Sequence, residues 1–385
     1  MTQFQKRYLV NDISKDLQKK MVFVGGPRQV GKTTMAFSLL KNGDEDHPAY
    51  LNWDYAENRK RMLNYELPDE RERLIVFDEI HKYNGWRNLL KGFFDKHKRK
   101  RSFLITGSAR LDYYRRGGDS LQGRYHYYRL HPFSLKELNN KANVDDMKCL
   151  LKFGGFPEPL FSSNEREWKR WQRERSSRII NDDLVNLEKV REISQLSLLA
   201  SILPHKAASI LSINSLREDL RVAFETAESW VQILENLYYC FRISPYGGGN
   251  TCKLRLAQKE KKLYLWDWSL CHENQGVLFE NFVASHLLKY CHYLEDTEGD
   301  EMELLFLRDA DKREVDFVVT KNKKPIFAIE CKNSENNISP NIKYFSERTN
   351  IPVFYQLHMG KSNYENSDYR CKVMPFLKFA LEELI

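Results

Sequence analysis

No run of apolar residues in this 385-residue chain approaches the roughly 20 that a membrane-spanning helix needs, and the opening MTQFQKRYLVNDISKD lacks the apolar stretch of a secretory leader. A cytoplasmic protein with no membrane partner is expected. The seven cysteines (Cys149, Cys240, Cys252, Cys271, Cys291, Cys331, Cys371) are scattered, odd in number and never in a C-x-x-C pair. That pattern excludes a disulfide framework and a structural zinc site and leaves reduced, mostly buried thiols. The ten histidines show no metal-ligand spacing, and no internal repeat or long low-complexity linker is present. What remains is a chain long enough for roughly two or three domains with their own cores.

Its net charge of +8 is gathered in stretches such as KHKRKR at 96–101 and REWKRWQRERSSR at 166–178. Such runs are usually solvated faces. With the motifs below they point to a polyanionic partner, DNA before a protein client.

Three segments are expected. Over 1–160, the apolar runs MVFV, RLIVFDE and RSFLITGS alternate with helical stretches such as KTTMAFSLL, the signature of a parallel α/β sheet covered on both faces. Over 161–270 the pattern is helical. SINSLREDLRVAFETAESWVQILENLYYCFRI predicts a helix opened by Ser212 or Asn214, a turn and a second amphipathic helix, and SPYGGGNTCKLRLAQKEKKLYLWD predicts a strand pair with a basic second strand. Together these make a winged-helix arrangement. Over 271–385, the helix GVLFENFVASHLLKYCHYL precedes the strands ELLFLRD, EVDFVVT and PIFAIECK and a last strand IPVFYQLH, a second α/β unit.

The stretch GPRQVGKTT (Gly26, Pro27, Arg28, Gln29, Val30, Gly31, Lys32, Thr33, Thr34) satisfies G-x-x-x-x-G-K-[ST] between a predicted strand and a predicted helix. Its glycines let backbone N–H groups wrap phosphate oxygens, Lys32 supplies a point charge, and Thr33 offers a hydroxyl to magnesium. ATP and Mg²⁺ are therefore the expected cofactors. At the tip of RLIVFDE, Asp78 would hold magnesium and Glu79 would orient the attacking water. Thr106 and Ser108 in FLITGS, and Arg124 further on, are candidates for sensing the γ-phosphate, Arg124 in its own subunit or in a neighbour of an oligomer.

GPRQVGKTT, LIVFDEIHKYNGW, LITGSAR, LQGRYHYYRLHPFSLKEL and FGGFPEPL resemble the bacterial and archaeal AAA-type ATP-binding proteins that carry an added C-terminal nuclease-like domain. The similarity covers nearly the whole chain. It implies a P-loop sheet with the catalytic glutamate beside the magnesium aspartate, as Asp78 and Glu79 stand here. One departure is RRGGDS at 115–120, which leaves the place of Arg124 unsettled.

REVDFVVTKNKKPIFAIECK poses a separate question, because it carries Asp316 and Glu330 on strands that otherwise read as buried, and a buried carboxylate must be compensated. Beside a helix bearing Glu280, the pair resembles the core of restriction-endonuclease-like enzymes, with an aspartate on one strand and [D/E]-x-K on the next. That resemblance implies a metal held by Glu280, Asp316 and Glu330 and a water oriented by Lys332. The plain alternative is a strand pair in which Lys332 neutralises a neighbouring carboxylate. The whole reads as an ATPase coupled to a DNA-binding, nuclease-like domain. Three other readings remain: an ATP-switched DNA-binding regulator with an inactive nuclease fold, an ATPase that grips a protein client with the C-terminal unit as an interaction module, and a P-loop that binds nucleotide without turnover.

Overall fold

The computed structural model describes residues 5–107, 121–138, 141–179, 192–247, 260–271, 273–334 and 337–385. They form two compact units, Met1–Pro132 and Phe133–Ile385.

The first unit contains α1 (Val10–Asp16), β1 (Met21–Gly25), α2 (Lys32–Leu39), β2 (Tyr50–Asn52), α3 (Ala56–Leu63), β3 (Leu74–Asp78), α4 (Trp86–His97), β4 (Ser102–Thr106) and β5 (Tyr125–Arg129). The five strands are parallel in the order β2-β3-β4-β1-β5. Each of β1, β3 and β4 is a short apolar run buried along nearly its whole length, as a sheet covered on both faces requires. Helix α4 shows how a helix covers it. Trp86, Leu89, Leu90, Phe93 and Phe94 recur at helical spacing and are buried, and the Phe93 ring lies 5.1 Å from that of Phe77 on β3. Strand β1 sits between β4 and β5, so the loop leaving its carboxyl end opens at the crossover point where α/β sheets bind ligands.

The second unit begins earlier than the expected boundary at 160. It contains α5 (Leu135–Leu138), α6 (Val144–Phe153), α7 (Pro157–Ser162), α8 (Glu165–Arg178) and α9 (Ile193–Ile202). These helices are tied to later parts of the same unit by a buried ion pair between Glu137 and Lys289 and by the Trp268 indole N–H donated to Leu150 O at 2.8 Å. Next come β6 (Ser209–Ile210), α10 (Ile213–Leu220), α11 (Phe224–Asn236), β7 (Cys240–Pro245) and β8 (Lys262–Leu265). Of the two expected caps, Ser212 is the one used, its hydroxyl accepting from Ser215 N. β7 and β8 pair antiparallel as expected, while the residues joining them at 248–259 lie outside the described set.

The chain continues through α12 (Gln275–Glu298), β9 (Met302–Arg308), β10 (Glu314–Lys321), β11 (Lys324–Lys332), α13 (Pro340–Ser346), β12 (Phe354–His358), β13 (Tyr364–Asn366), β14 (Cys371–Pro375) and α14 (Phe376–Glu382). No break occurs near 270. Among the described residues one nine-stranded sheet runs β13-β14-β12-β11-β10-β9-β7-β8-β6, because β7 pairs in parallel with β9. Strand β10 carries a register shift between Val315 and Val318 against β9. Both valines belong to one core cluster with Ile342 and Phe345 of α13. Two residues, Asp316 and Phe317, therefore stand where strict alternation would leave one.

A buried amide locks α12 to β8. Asn281 is fully buried, accepts from Leu265 N at 2.8 Å and donates to Leu265 O at 2.8 Å. Asn281→Leu takes this partner from Leu265 N and leaves Leu265 O only the longer bond from Ser285 Oγ at 3.4 Å, so it is expected to lower the stability of the second unit by about 2–4 kcal/mol, read as a lower urea midpoint with unchanged secondary structure at zero denaturant.

Candidate functional site

The loop between β1 and α2 has the backbone that its glycines permit. Gly26 has φ +142 and approaches β5 so closely that a Cβ would lie 2.4 Å from Leu130 O, and Gly31, at φ +96, immediately precedes the first helical residue, Lys32. Gln29 also has positive φ, at 63°. The amides of the first turn of α2 consequently face the concave side of the loop, the geometry that receives phosphate. Lys32 is buried and donates to Gly26 O at 2.9 Å and Pro27 O at 2.7 Å, which holds its ammonium at the throat of the loop. Thr34 stands exposed on the first turn of α2.

A residue that the sequence reading missed ties this loop down. Arg7 is buried and donates to Val30 O at 2.7 Å and to His131 O, joining the phosphate loop to the chain leaving β5. It lies outside every motif, and nothing short-range marks it.

Asp78 ends β3 and is nearly sealed from solvent. Three hydroxyls donate to its carboxylate: Thr106 to Oδ1 at 2.6 Å, and Thr33 at 2.9 Å and Tyr50 at 2.7 Å to Oδ2. Burial, with the charge of Glu79 adding to it, pushes the Asp78 carboxyl up, and the three hydroxyls pull against that shift. Thr33 and Asp78, 45 residues apart in the chain, are thus in direct contact. Tyr50 is the second missed residue, and burial raises its phenol pKa, so it remains an O–H donor.

Glu79 follows at φ +56, a left-handed conformation that a non-glycine residue adopts only when its surroundings impose it. Its Oε2 stands 3.3 Å from Lys82 Nζ and 3.6 Å from His81 Nε2, and its N–H bonds Thr106 O. The backbone turn therefore aims a charged carboxylate away from the strand axis, beside Asp78.

Of the sensor candidates, Thr106 lies against Asp78 and Ser108 is outside the described residues. Arg124 is at the wrong end of the sheet for its own phosphates. Its carbonyl accepts from Met21 N, at the opening of β1, while the phosphate loop leaves Gly25, roughly 13 Å along the strand. Its guanidinium pairs with Asp95 at 3.1 Å and 3.3 Å. This placement sets Arg124 apart from the phosphate loop of its own subunit.

The second unit does not gather Glu280, Asp316 and Glu330 around one point. Among the described residues no three His, Cys, Asp or Glu side chains are arranged to hold a metal. Asp316 accepts from Cys331 N at 2.7 Å through Oδ2, while its Oδ1 is 3.6 Å from Lys262 Nζ. Glu280 accepts from Lys262 at 2.8 Å and from the Tyr264 hydroxyl at 2.7 Å, both on the same oxygen. Glu330 belongs to another group: its Oε1 accepts from Lys332 at 2.6 Å and from Ser339 Oγ, at the cap of α13, at 3.1 Å. Its Oε2 is buried and receives no hydrogen bond. The donor set as arranged does not fit a divalent ion, because an ammonium already stands among its carboxylates. Glu330 paired with Lys332 is the plain alternative weighed from the sequence, and Lys262 is the compensating charge that the sequence reading did not find. Lys332 is held charged: burial opposes this, but the attraction of Glu330 outweighs it.

Residues 18–139 match the family model described as an AAA domain, residues 121–278 a domain of unknown function, DUF8612, and residues 275–379 another, DUF4143. An uncharacterized protein of Methanocaldococcus jannaschii is 23% identical, with 96% of this chain and 91% of that protein covered. An uncharacterized protein of Mycobacterium tuberculosis is 22% identical over 67% of this chain and 56% of its own length. Among solved structures, the Thermotoga maritima RuvB Holliday junction branch migration motor aligns at 17% identity and a TM-score of 0.31, over 62% of this chain and 90% of that one.

Glu280 is pushed up to about 8 and Glu330 to about 7, in both cases first by burial and then by Asp316, from an ordinary 4.5. A folded-state pKa above the unfolded one means that the folded state binds the extra proton. The stabilisation is then complete below about pH 4.5 and is lost as pH rises through 7 to 8. Calorimetry across that range is expected to show the melting temperature of the second unit falling toward alkaline pH, with a flatter fall in Glu280→Gln.

Proposed function

We propose that this chain is a cytoplasmic, ATP-hydrolysing switch that acts on DNA through its second unit. The AAA-domain match and the geometry of the phosphate loop support an AAA-type P-loop ATPase, and no helix among the described residues is long and apolar enough to cross a membrane. The observation that carries the ATPase reading is Asp78, which draws Thr33 of the phosphate loop and Thr106 of the neighbouring strand onto one carboxylate.

Gly26 to Thr34 would wrap the phosphates, with Lys32 as the cation beside them. Thr33 and Asp78 would hold magnesium, which neutralises charge on the β- and γ-phosphates when bound. Glu79 would take its place on the attacking water by leaving Lys82 and His81. Loss of the γ-phosphate then releases the contacts that it makes with the loop and with Lys32, a local change with a distant readout. In an oligomer, Arg124 could serve a neighbouring subunit's phosphate only by giving up or sharing its pair with Asp95.

Two features of the second unit support a nucleic-acid partner. One is the order helix, three antiparallel strands, helix and parallel strand from α12 to β12, which resembles a restriction-endonuclease-like core. The other is the exposed face of α8, where Arg166, Lys169, Arg170 and Arg173 line one groove. The placement of Lys262 and Lys332 favours a binding platform over metal-dependent cleavage. β6, α10, α11, β7 and β8 follow one another as in a winged helix, but the second helix is acidic: Glu225, Glu228 and Glu235 lie on it, and Arg242 is spent on the last two. Phosphate would be repelled there. That favours a second reading for this segment alone, a docking surface for a basic protein.

Glu79→Gln is expected to lower ATP turnover by at least about 100-fold while nucleotide binding persists, whereas Lys32→Ala weakens binding itself. Phosphate release measured beside fluorescent-nucleotide titration separates the two, and wild-type turnover in Glu79→Gln removes that residue from the role. For the DNA reading, a variant with Arg166, Arg170 and Arg173 changed to Gln is expected to bind duplex DNA with a log–log salt slope shallower by roughly three, by fluorescence anisotropy at several salt concentrations. An unchanged slope places the DNA contact elsewhere.

A further inference from the structure

Lys262 opens β8 and is 3% exposed. Three carboxylates from two other elements converge on its ammonium. Glu280 of α12 accepts at 2.8 Å, Glu314 of β10 accepts at 2.6 Å, and Asp316 of β10 stands at 3.6 Å. Each is anchored by a further donor. Tyr264 bonds the same Glu280 oxygen, Arg308 reaches the other oxygen of Glu314 at 3.1 Å, and Cys331 N holds Asp316. Clustered carboxylate oxygens on rigid elements are the donor set of a hard divalent cation. Here the point they share is taken by a lysine whose backbone is fixed in a strand paired on both sides, with β7 and β6.

We propose that Lys262 is a built-in counter-ion. Its ammonium fills the cation position among Glu280, Glu314 and Asp316 and so closes the cluster to divalent metal, and removing its charged head opens a Mn²⁺ or Mg²⁺ site there. A metal ion close enough to bind Glu280 and Asp316 would sit a few ångströms from Nζ, in a buried setting where like charges are screened poorly. The lysine cannot swing out without moving β8, because its stem is enclosed. The cluster is therefore shut by covalent structure and not by the concentration of any solute. The inference does not depend on ATP turnover or on what the second unit binds.

The test is calorimetric titration of Mn²⁺ into the full chain without nucleotide, with Asp316→Asn compared in each background so that heat from the phosphate loop cancels. Wild type and Asp316→Asn are expected to give superimposable isotherms. Lys262→Met is expected to gain one Mn²⁺ per chain, bound at least about tenfold more tightly than any wild-type event, with a melting temperature raised by Mn²⁺; Lys262→Met with Asp316→Asn loses that gain. Asp316-dependent Mn²⁺ binding in the wild type overturns the proposal and needs no variant at position 262. So does a Lys262→Met protein with the wild-type circular dichroism spectrum and no added site. Lys262→Gln, which keeps a polar head without the charge, replaces Met if the latter fails to fold, and is read the same way.

Discussion

A carboxylate taken out of water must be given partners, and this chain does so in two physically different ways. Asp78 receives three neutral O–H donors. Asp316 and its neighbours Glu280 and Glu314 receive a full positive charge from Lys262. The difference decides what each place can do. Hydroxyls rotate, carry lone pairs of their own and can become ligands beside the carboxylate, so the Asp78 cluster is compensated and still open to a cation. An ammonium has no lone pair, and it repels the ion that the carboxylates would otherwise attract. The first arrangement leaves room for a cation, and the second is a fixed structural charge.

The same contrast bears on how motion could pass through each unit. In the first, Thr33 belongs to the phosphate loop, Asp78 to β3 and Thr106 to β4, so one carboxylate senses three segments at once. Arg7 adds a fourth by holding Val30 and His131 together. The phosphate loop and the chain leaving β5 are thereby joined through one side chain. In the second unit the contacts of Lys262 run between the strand pair that follows the two helices and the sheet that follows α12. β7 continues that link by pairing with β9. The segments before and after residue 270 are therefore one mechanical body, and a partner docking on either one would load the same sheet.

Much of the first site was legible because its chemistry is local in sequence. The spacing from Gly26 to Thr33 and the run ending in Asp78 and Glu79 each carry their own strand and turn, and they fell where expected. Arg7 and Tyr50 were not legible, since each reaches the site across a long stretch of chain and neither residue type is unusual where it stands. The compact units divide at Pro132/Phe133, ahead of the expected boundary at 160, for a related reason. What places residues 133–160 in the second unit is tertiary: the pair of Glu137 with Lys289 and the bond from Trp268 to Leu150. Lys262 was visible only as one basic residue in the basic run KLRLAQKEKK, and nothing in that run marks it as a lysine that turns inward.

The aspartate and E-x-K pattern of β10 and β11 shows why spacing alone could not decide between metal and lysine. Strict alternation along β10 would set Asp316 and Val318 on one side of the sheet, opposite Val315. The register shift instead leaves Val315 and Val318 in the same core cluster, and Asp316 is freed to meet Lys262 and Glu280. Glu330, two residues beyond the cluster member Ala328, stays with Ser339 at the start of α13 and with Lys332. The inserted residue therefore gives Asp316 the partners Lys262 and Glu280, while its charge still reaches Glu330 and raises that carboxyl. The pattern records which residues are available, whereas the bulge and a lysine from a separate strand settle which charges meet.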